Sequence, residues 1–151
     1  VLFTDKRPDN VWHAPLIRRL FPAAKIVVTE RERLDNCVSV FFMHAAPQVT
    51  YAYDPAECST HWRLTDEAAA LWKATWPDAV RGVGYEALIA DPQGTATELL
   101  AWLGLPFHPA CLEFHRAKGL VRTESVWQVR RPIYRSSAGR SRNYAHRLEA
   151  L

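Results

Sequence analysis

The chain has 151 residues, 48% of them hydrophobic and six of them Trp, which fits one globular domain with a sizeable core and excludes a disordered chain. No apolar run is long enough to span a bilayer, which excludes a transmembrane helix and any membrane partner through one. Cys37, Cys58 and Cys111 are widely spaced and form no CxxC pair, a pattern that fits neither a disulfide framework nor a zinc site and points to a reducing cytoplasm.

Val1-Leu2-Phe3-Thr4 reads as the end of a core strand, followed by a loop from Asp5 to Asn10. With no initiator Met before it, the sequence reads as the C-terminal part of a longer domain, with any targeting segment unseen. Asn10 is placed to cap a helix that carries Val11, Trp12, Leu16, Ile17 and Leu20 on one face; Pro15 weakens its start and Pro22 closes it. A strand over Lys25–Thr29 then runs into a charged joint and a helix from about Leu34 to Ala45. After a loop over Pro47–Asp54, a long helix from Pro55 to Trp76 has Trp62, Leu64, Ala68, Leu71, Trp72 and Trp76 as its apolar side. Ala79–Gly84 reads as a short buried strand, Tyr85–Leu88 as the start of a brief helix ending before Pro92, and Thr95–Leu103 as a helix stopped by Gly104. The remainder predicts short helical pieces with a loop at Tyr134–Gly139. Strands alternating with helices imply an α/β fold with a parallel sheet.

The joint after the first complete strand is the most informative stretch. The carboxyl edge of a sheet is where open α/β folds bind ligands, and Arg31, Ser39 and the first-turn N–H groups of a helix suit an anion. Charge is also unevenly spread. From Leu120 onward, Arg122, Arg130, Arg131, Arg135, Arg140, Arg142 and Arg147 face only Glu124 and Glu149, a balance of +5 within a total of +3, so the preceding residues balance at −2. A cationic end on a slightly acidic body points to an anionic ligand.

Four stretches together resemble one family. Thr4-Asp5-Lys6-Arg7-Pro8-Asp9-Asn10 is similar to the D-K-x-P-x-N loop of sulfotransferases that use 3′-phosphoadenosine 5′-phosphosulfate (PAPS). Arg31 to Ser39 resembles their R-D-P-x-D-x-C-x-S element, Gly84-Tyr85-Glu86-Ala87-Leu88 with Asp91-Pro92 their Y-E-D-L…D-P element, and Trp127 to Arg140 their closing segment. The nearest likeness is to the bacterial group often fused to tetratricopeptide repeats, which would lie upstream in the same chain, and to tyrosylprotein sulfotransferases.

The resemblance implies a three-layer, P-loop-NTPase-like sulfotransferase fold, of which residues 1–151 are the C-terminal part of a single domain. The 5′-phosphosulfate loop and the general base on the acceptor are expected upstream of Val1, so that these residues alone are expected to be inactive; His13 and His44 read as helix-face residues. It implies PAPS as donor and PAP (3′,5′-ADP) as product, no metal, and a hydroxyl-bearing acceptor such as a peptide tyrosine, a sugar or a small molecule. Arg31 and Ser39 would hold the 3′-phosphate, Tyr85 would meet the adenine, and Arg135, Ser137, Gly139 and Arg140 would close over the nucleotide. Lys6 would stabilise charge on the leaving oxygen, with Ser136 adding a hydrogen bond. Tyr51, Tyr53 and His61 fall in an insertion on the acceptor side. Glu30 and Arg33 stand where relatives usually have Arg and Pro, which makes the joint more acidic than the family pattern.

Other classes compete. The Arg-rich end with Trp127, Tyr134 and Tyr144 can be read as a nucleic-acid-binding module, against which the modest net charge and acidic body argue, so nucleic acid is not expected as a partner. A P-loop kinase would need a Walker A motif, absent from this sequence. A catalytically degenerate, sulfotransferase-like interaction domain is the remaining alternative.

Overall fold

The computed structural model describes residues 2–42, 49–117 and 128–148. Expectations that fall on Val1, on the helix end at 43–45, on His44 and on Trp127 lie outside the described residues. The chain divides into two compact units, one of residues 1–82 with 139–151, the other of residues 83–138. Helices α1 (Ala14–Leu20), α2 (Arg33–Phe41), α3 (Pro55–Thr75), α4 (Tyr85–Ala90), α5 (Pro92–Trp102) and α6 (Ala145–Leu148) accompany strands β1 (Ile26–Glu30) and β2 (Val80–Gly84). The two strands form a parallel sheet, so the fold is α/β.

The first unit is organised around α3. Asp54 caps it, its carboxylate accepting from Ala56 N–H at 2.8 Å and Glu57 N–H at 3.0 Å, and Pro55 occupies the first turn, where its missing N–H costs nothing. Cys58, Ser59 and Ala69 are buried, with Trp62, Ala68, Trp72 and Trp76 half-buried beside them. Leu64 and Leu71, expected on this face, are 42% and 55% exposed. Each lies two residues, roughly 200° of helix turn, beyond an inward position, half-buried Trp62 for Leu64 and buried Ala69 for Leu71, and so points away from it. Trp72 stacks on Trp76 and donates its indole N–H to the carbonyl of Val11 at 2.9 Å, tying α3 to the chain before α1. Cys58 meets Cys37 of α2; both thiols are free and buried, and that hydrogen bond together with burial pushes the Cys37 thiol up.

The start of the chain differs from expectation. Residues 2–7 form no strand, with Leu2 and Phe3 exposed. Residues Pro8–His13 are a 3₁₀ helix, and α1 begins only at Ala14, with Pro15 in its first turn, where it starts the helix rather than weakening it. Three residues per turn before Ala14 and 3.6 after it break the expected stripe. Val11 and Ala14 are buried, while Trp12, Leu16 and Leu20 face solvent. Asn10 caps nothing; its amide donates to the Asp5 carboxylate at 2.7 Å, and its backbone N–H bonds the Arg7 carbonyl. The loop carrying Lys6 is thereby closed on itself.

In the second unit, Asp91 caps α5 by accepting from Gly94 N–H at 2.9 Å, with Pro92 next in the chain. Gly104, at φ 71°, ends the helix: its N–H bonds the Ala101 carbonyl while that of Leu105 bonds Leu100. This paired closure needs a left-handed residue, which glycine supplies without strain. Ile89 is buried, and Pro109–Arg116 form a 3₁₀ segment.

Trp72→Phe keeps an aromatic side chain against Trp76, though a smaller one, and leaves the Val11 carbonyl without its donor. It is expected to lower unfolding stability by about 1 kcal/mol, read from urea denaturation followed by Trp fluorescence.

Candidate anion-binding site

β1 delivers the chain to the joint as a half-buried strand whose inward residues are Ile26, Val28 and Glu30. Glu32 then caps α2, its carboxylate accepting from Asp35 N–H at 2.7 Å. Arg31 precedes the cap. From α2, Asp35 and Ser39 are one turn apart on one face, and Phe42 follows three residues later on the same side.

The centre of the site is Asp35, 1% exposed. Its Oδ2 accepts from Gly139 N–H at 2.6 Å and its Oδ1 from Ser141 N–H at 2.7 Å. The guanidinium of Arg31 stands 3.9 Å from the same Oδ2, its side chain only 16% exposed. Burial by itself pushes the Asp35 carboxyl up. The hydrogen bonds from Ser141 and Gly139 and the charge of Arg31 outweigh it and hold the group below its ordinary value. Two consecutive hydrogen bonds to alternate N–H groups require a tight turn, and Gly139, at φ 70°, makes it before the 3₁₀ segment Arg140–Tyr144. Phe42 grips the same segment a second time. The Arg140 guanidinium lies 5.1 Å from its ring centroid and the Tyr144 ring packs at 5.4 Å.

Of the residues expected to form the site, Arg31 stands just before α2, Ser39 lies on it, and Gly139 and Arg140 belong to the segment docked on it, with Asp35 between Arg31 and Gly139. Asp35 itself was not among the expected residues, nor was Phe42. The available signal for Asp35 was an acid at the fourth residue after Arg31, in a run whose neighbours Cys37 and Val38 are apolar and buried. Tyr85, Arg135, Ser136 and Ser137 belong to the second unit. Tyr85 opens α4 directly after β2 and is half-buried, Ser137 is half-buried and Ser136 exposed. Arg135 donates to the carbonyls of Ile89 and Ala90, both at 3.3 Å, and so binds the closing end of α4. Lys6 is exposed in the loop closed by Asp5 and Asn10.

The two glutamates at the joint, Glu30 and Glu32, both have local partners. Glu30 pairs with Lys73 of α3, and Glu32 is spent on the helix cap. Tyr51 stacks on His61 at 3.7 Å and 8°, with Trp12 at the imidazole edge, while Tyr53 is exposed. Burial lowers the His61 pKa against the opposing charge of Asp9, and burial followed by Asp9 raises that of Tyr51, so the pair is neutral at pH 7. Among the described residues, no group of three or more His, Cys, Asp or Glu side chains is placed to hold a metal ion, and no helix is long and apolar enough to cross a membrane. Chemically, the α2 face with its docked turn offers fork-shaped cationic donors and a hydroxyl around a rigid carboxylate, a donor set that recognises oxyanions.

Because the Asp35 carboxyl is depressed in the fold, its stabilisation is complete above the ordinary carboxylate value of about 3.9 and is lost as pH falls through the lower folded value. Asp35→Asn is expected to cost about 2 kcal/mol at pH 7, and its difference from wild type to narrow below about pH 4. Urea melts at pH 7 and pH 3 test this; a difference that is unchanged at pH 3 contradicts it.

A profile described as "Sulfotransferase family" matches residues 2–109. An "Uncharacterized protein" of Aquifex aeolicus (strain VF5) is 32% identical over 148 residues, covering 93% of this chain and 19% of that protein. The chain thus spans about a fifth of the length of this relative. The profile takes in the Lys6 loop, the β1–α2 joint with Arg31, Asp35 and Ser39, and the β2–α4 junction at Tyr85. The chain belongs to the sulfotransferase family.

Proposed function

We propose that these residues form the 3′-phosphate side and part of the catalytic machinery of a PAPS-dependent sulfotransferase, which moves a sulfuryl group to an acceptor hydroxyl and leaves 3′,5′-ADP. The observation that carries this reading is the clamp of Asp35 on Gly139 and Ser141, with Arg31 held against the same carboxylate. The donor set suits the nucleotide. Guanidinium forks of Arg31 and Arg140 and the Ser39 hydroxyl match the three equivalent oxygens of a terminal phosphate. The glycine turn allows backbone to approach an oxyanion closely, and Asp35 keeps that turn in place.

The donor supplies an activated sulfuryl group whose transfer requires positioning and charge stabilisation. In this reading Lys6 is the group that stabilises negative charge on the leaving oxygen, from a loop closed by the Asp5–Asn10 hydrogen bond. Ser136 adds a hydrogen bond there. Tyr85 meets the adenine, and Arg135 and Ser137 shape the closing segment, Arg135 by bracing it on the end of α4. The fuller fold in this reading is the three-layer, P-loop-like one, with residues 1–151 as a single domain's C-terminal part. Tyr51 and His61, stacked and neutral, lie on the acceptor side, which suits acceptors with an aromatic or ring-shaped body.

The test uses the full natural polypeptide that carries this sequence. A ligand that binds only the folded state raises stability by mass action, by about 2.7 kcal/mol at a hundredfold excess over Kd. Thermal melts are expected to rise with 3′,5′-ADP, to rise little with 5′-AMP, and to show no 3′,5′-ADP effect in Arg31→Ala. No shift for wild type at millimolar nucleotide would reject the reading in favour of an interaction domain. Lys6→Ala is expected to lower kcat roughly 10²–10³-fold with little change in nucleotide affinity, read from steady-state kinetics beside direct binding.

A further inference from the structure

Glu30 is the residue immediately before Arg31, yet an acid is the wrong charge beside an anion site. Its carboxylate leaves the joint on the side of α3, where it bonds the ammonium of Lys73. The space it occupies is reserved by Gly82 of β2, since a Cβ there would stand 2.6 Å from both carboxylate oxygens. Asp66 lies two turns before Lys73 on the same helix, and burial followed by the charge of Glu30 holds its carboxyl above the ordinary value, against Arg33 and Lys73.

Both members of the Lys73–Glu30 pair are more than a third exposed, at 36% and 40%. A pair that open to water contributes little to stability. Its effect on a neighbouring anion is another matter. Glu30 and Arg31 are neighbours in the chain, and two long side chains can bring their charged ends within the ~8 Å screening length at physiological salt, so a Glu30 freed from α3 is within reach of whatever Arg31 holds.

We infer that Lys73 is a positioning residue for nucleotide binding: it draws the Glu30 carboxylate onto α3, away from Arg31, and so preserves the positive potential of the 3′-phosphate site. This rests on the reading of Arg31 given above. Without Lys73, Glu30 is released next to Arg31 while Asp66 remains as a second repelling acid. Either pairing with Arg31 or simple repulsion then weakens anion binding.

Affinity for 3′,5′-ADP, measured by titration calorimetry on the full natural polypeptide, tests this in wild type, Lys73→Met, Glu30→Gln and the double variant, with thermal melts of each. Lys73→Met is expected to bind about tenfold more weakly with a melting temperature close to wild type. Glu30→Gln is expected to bind at least as tightly as wild type, and the double variant to return to within about twofold of it. Wild-type affinity in Lys73→Met overturns the inference while leaving the nucleotide site standing. A double variant as weak as Lys73→Met also overturns it, because the loss then does not run through Glu30. Failure of wild type to bind 3′,5′-ADP removes both the inference and the reading beneath it.

Discussion

The described site depends on one buried carboxylate. Asp35 has lost nearly all contact with water, a costly state for a charge, and it is offset by two short hydrogen bonds from backbone N–H groups at residues 139 and 141. Because those donors belong to the main chain, the carboxylate fixes a backbone path rather than a side-chain rotamer. Everything that follows Gly139 on α2, including the Arg140 contact with Phe42 and the packing of Tyr144, is registered by that clamp. Arg31 adds the third positive influence and is itself oriented in return.

The acidity of the joint is taken up by the chain's own groups. Three carboxylates lie within six residues, Glu30, Glu32 and Asp35, and none is left to act on a ligand alone. One is drawn to α3, one closes the first turn of α2, and one is consumed by the docked turn. The charge count of the stretch is therefore a poor guide to its potential; the direction in which each carboxylate is turned decides it.

How much could be read beforehand follows from how local each determinant is. The strand before Arg31, the long helix opened by Asp54-Pro55, and the stop at Gly104 were legible because caps, prolines and glycines act on their own neighbours. β1 differs from expectation by one residue, Ile26–Glu30 instead of Lys25–Thr29. The face of α1 was misread because a 3₁₀ turn precedes it and resets the angular phase, which periodicity cannot detect. Leu64 and Leu71 were assigned to the core on hydrophobicity, whereas the buried positions of α3 are the small residues Cys58, Ser59 and Ala69. Arg31, Ser39 and Gly139 stood out through a family motif. Asp35 did not stand out as a tether, since the groups it holds are backbone N–H groups more than a hundred residues away, and a backbone amide has no letter in the sequence.

That separation has a consequence for biosynthesis. Gly139 and Ser141 follow Asp35 by 104 and 106 residues. At about 5–20 residues per second, the ribosome needs roughly 5–20 s to supply them after Asp35 is made. For that interval α2 carries an acid with no clamp partners, next to the apolar Cys37 and Val38, and its burial is unfavourable until the turn arrives. The rest of the first unit must therefore tolerate a hydrated, loosely seated α2 during elongation, until residues 139–141 have been made and the clamp can close. Premature termination before residue 139 would leave a chain able to form α3 and its caps while lacking the clamp, an open species exposed to proteases and chaperones.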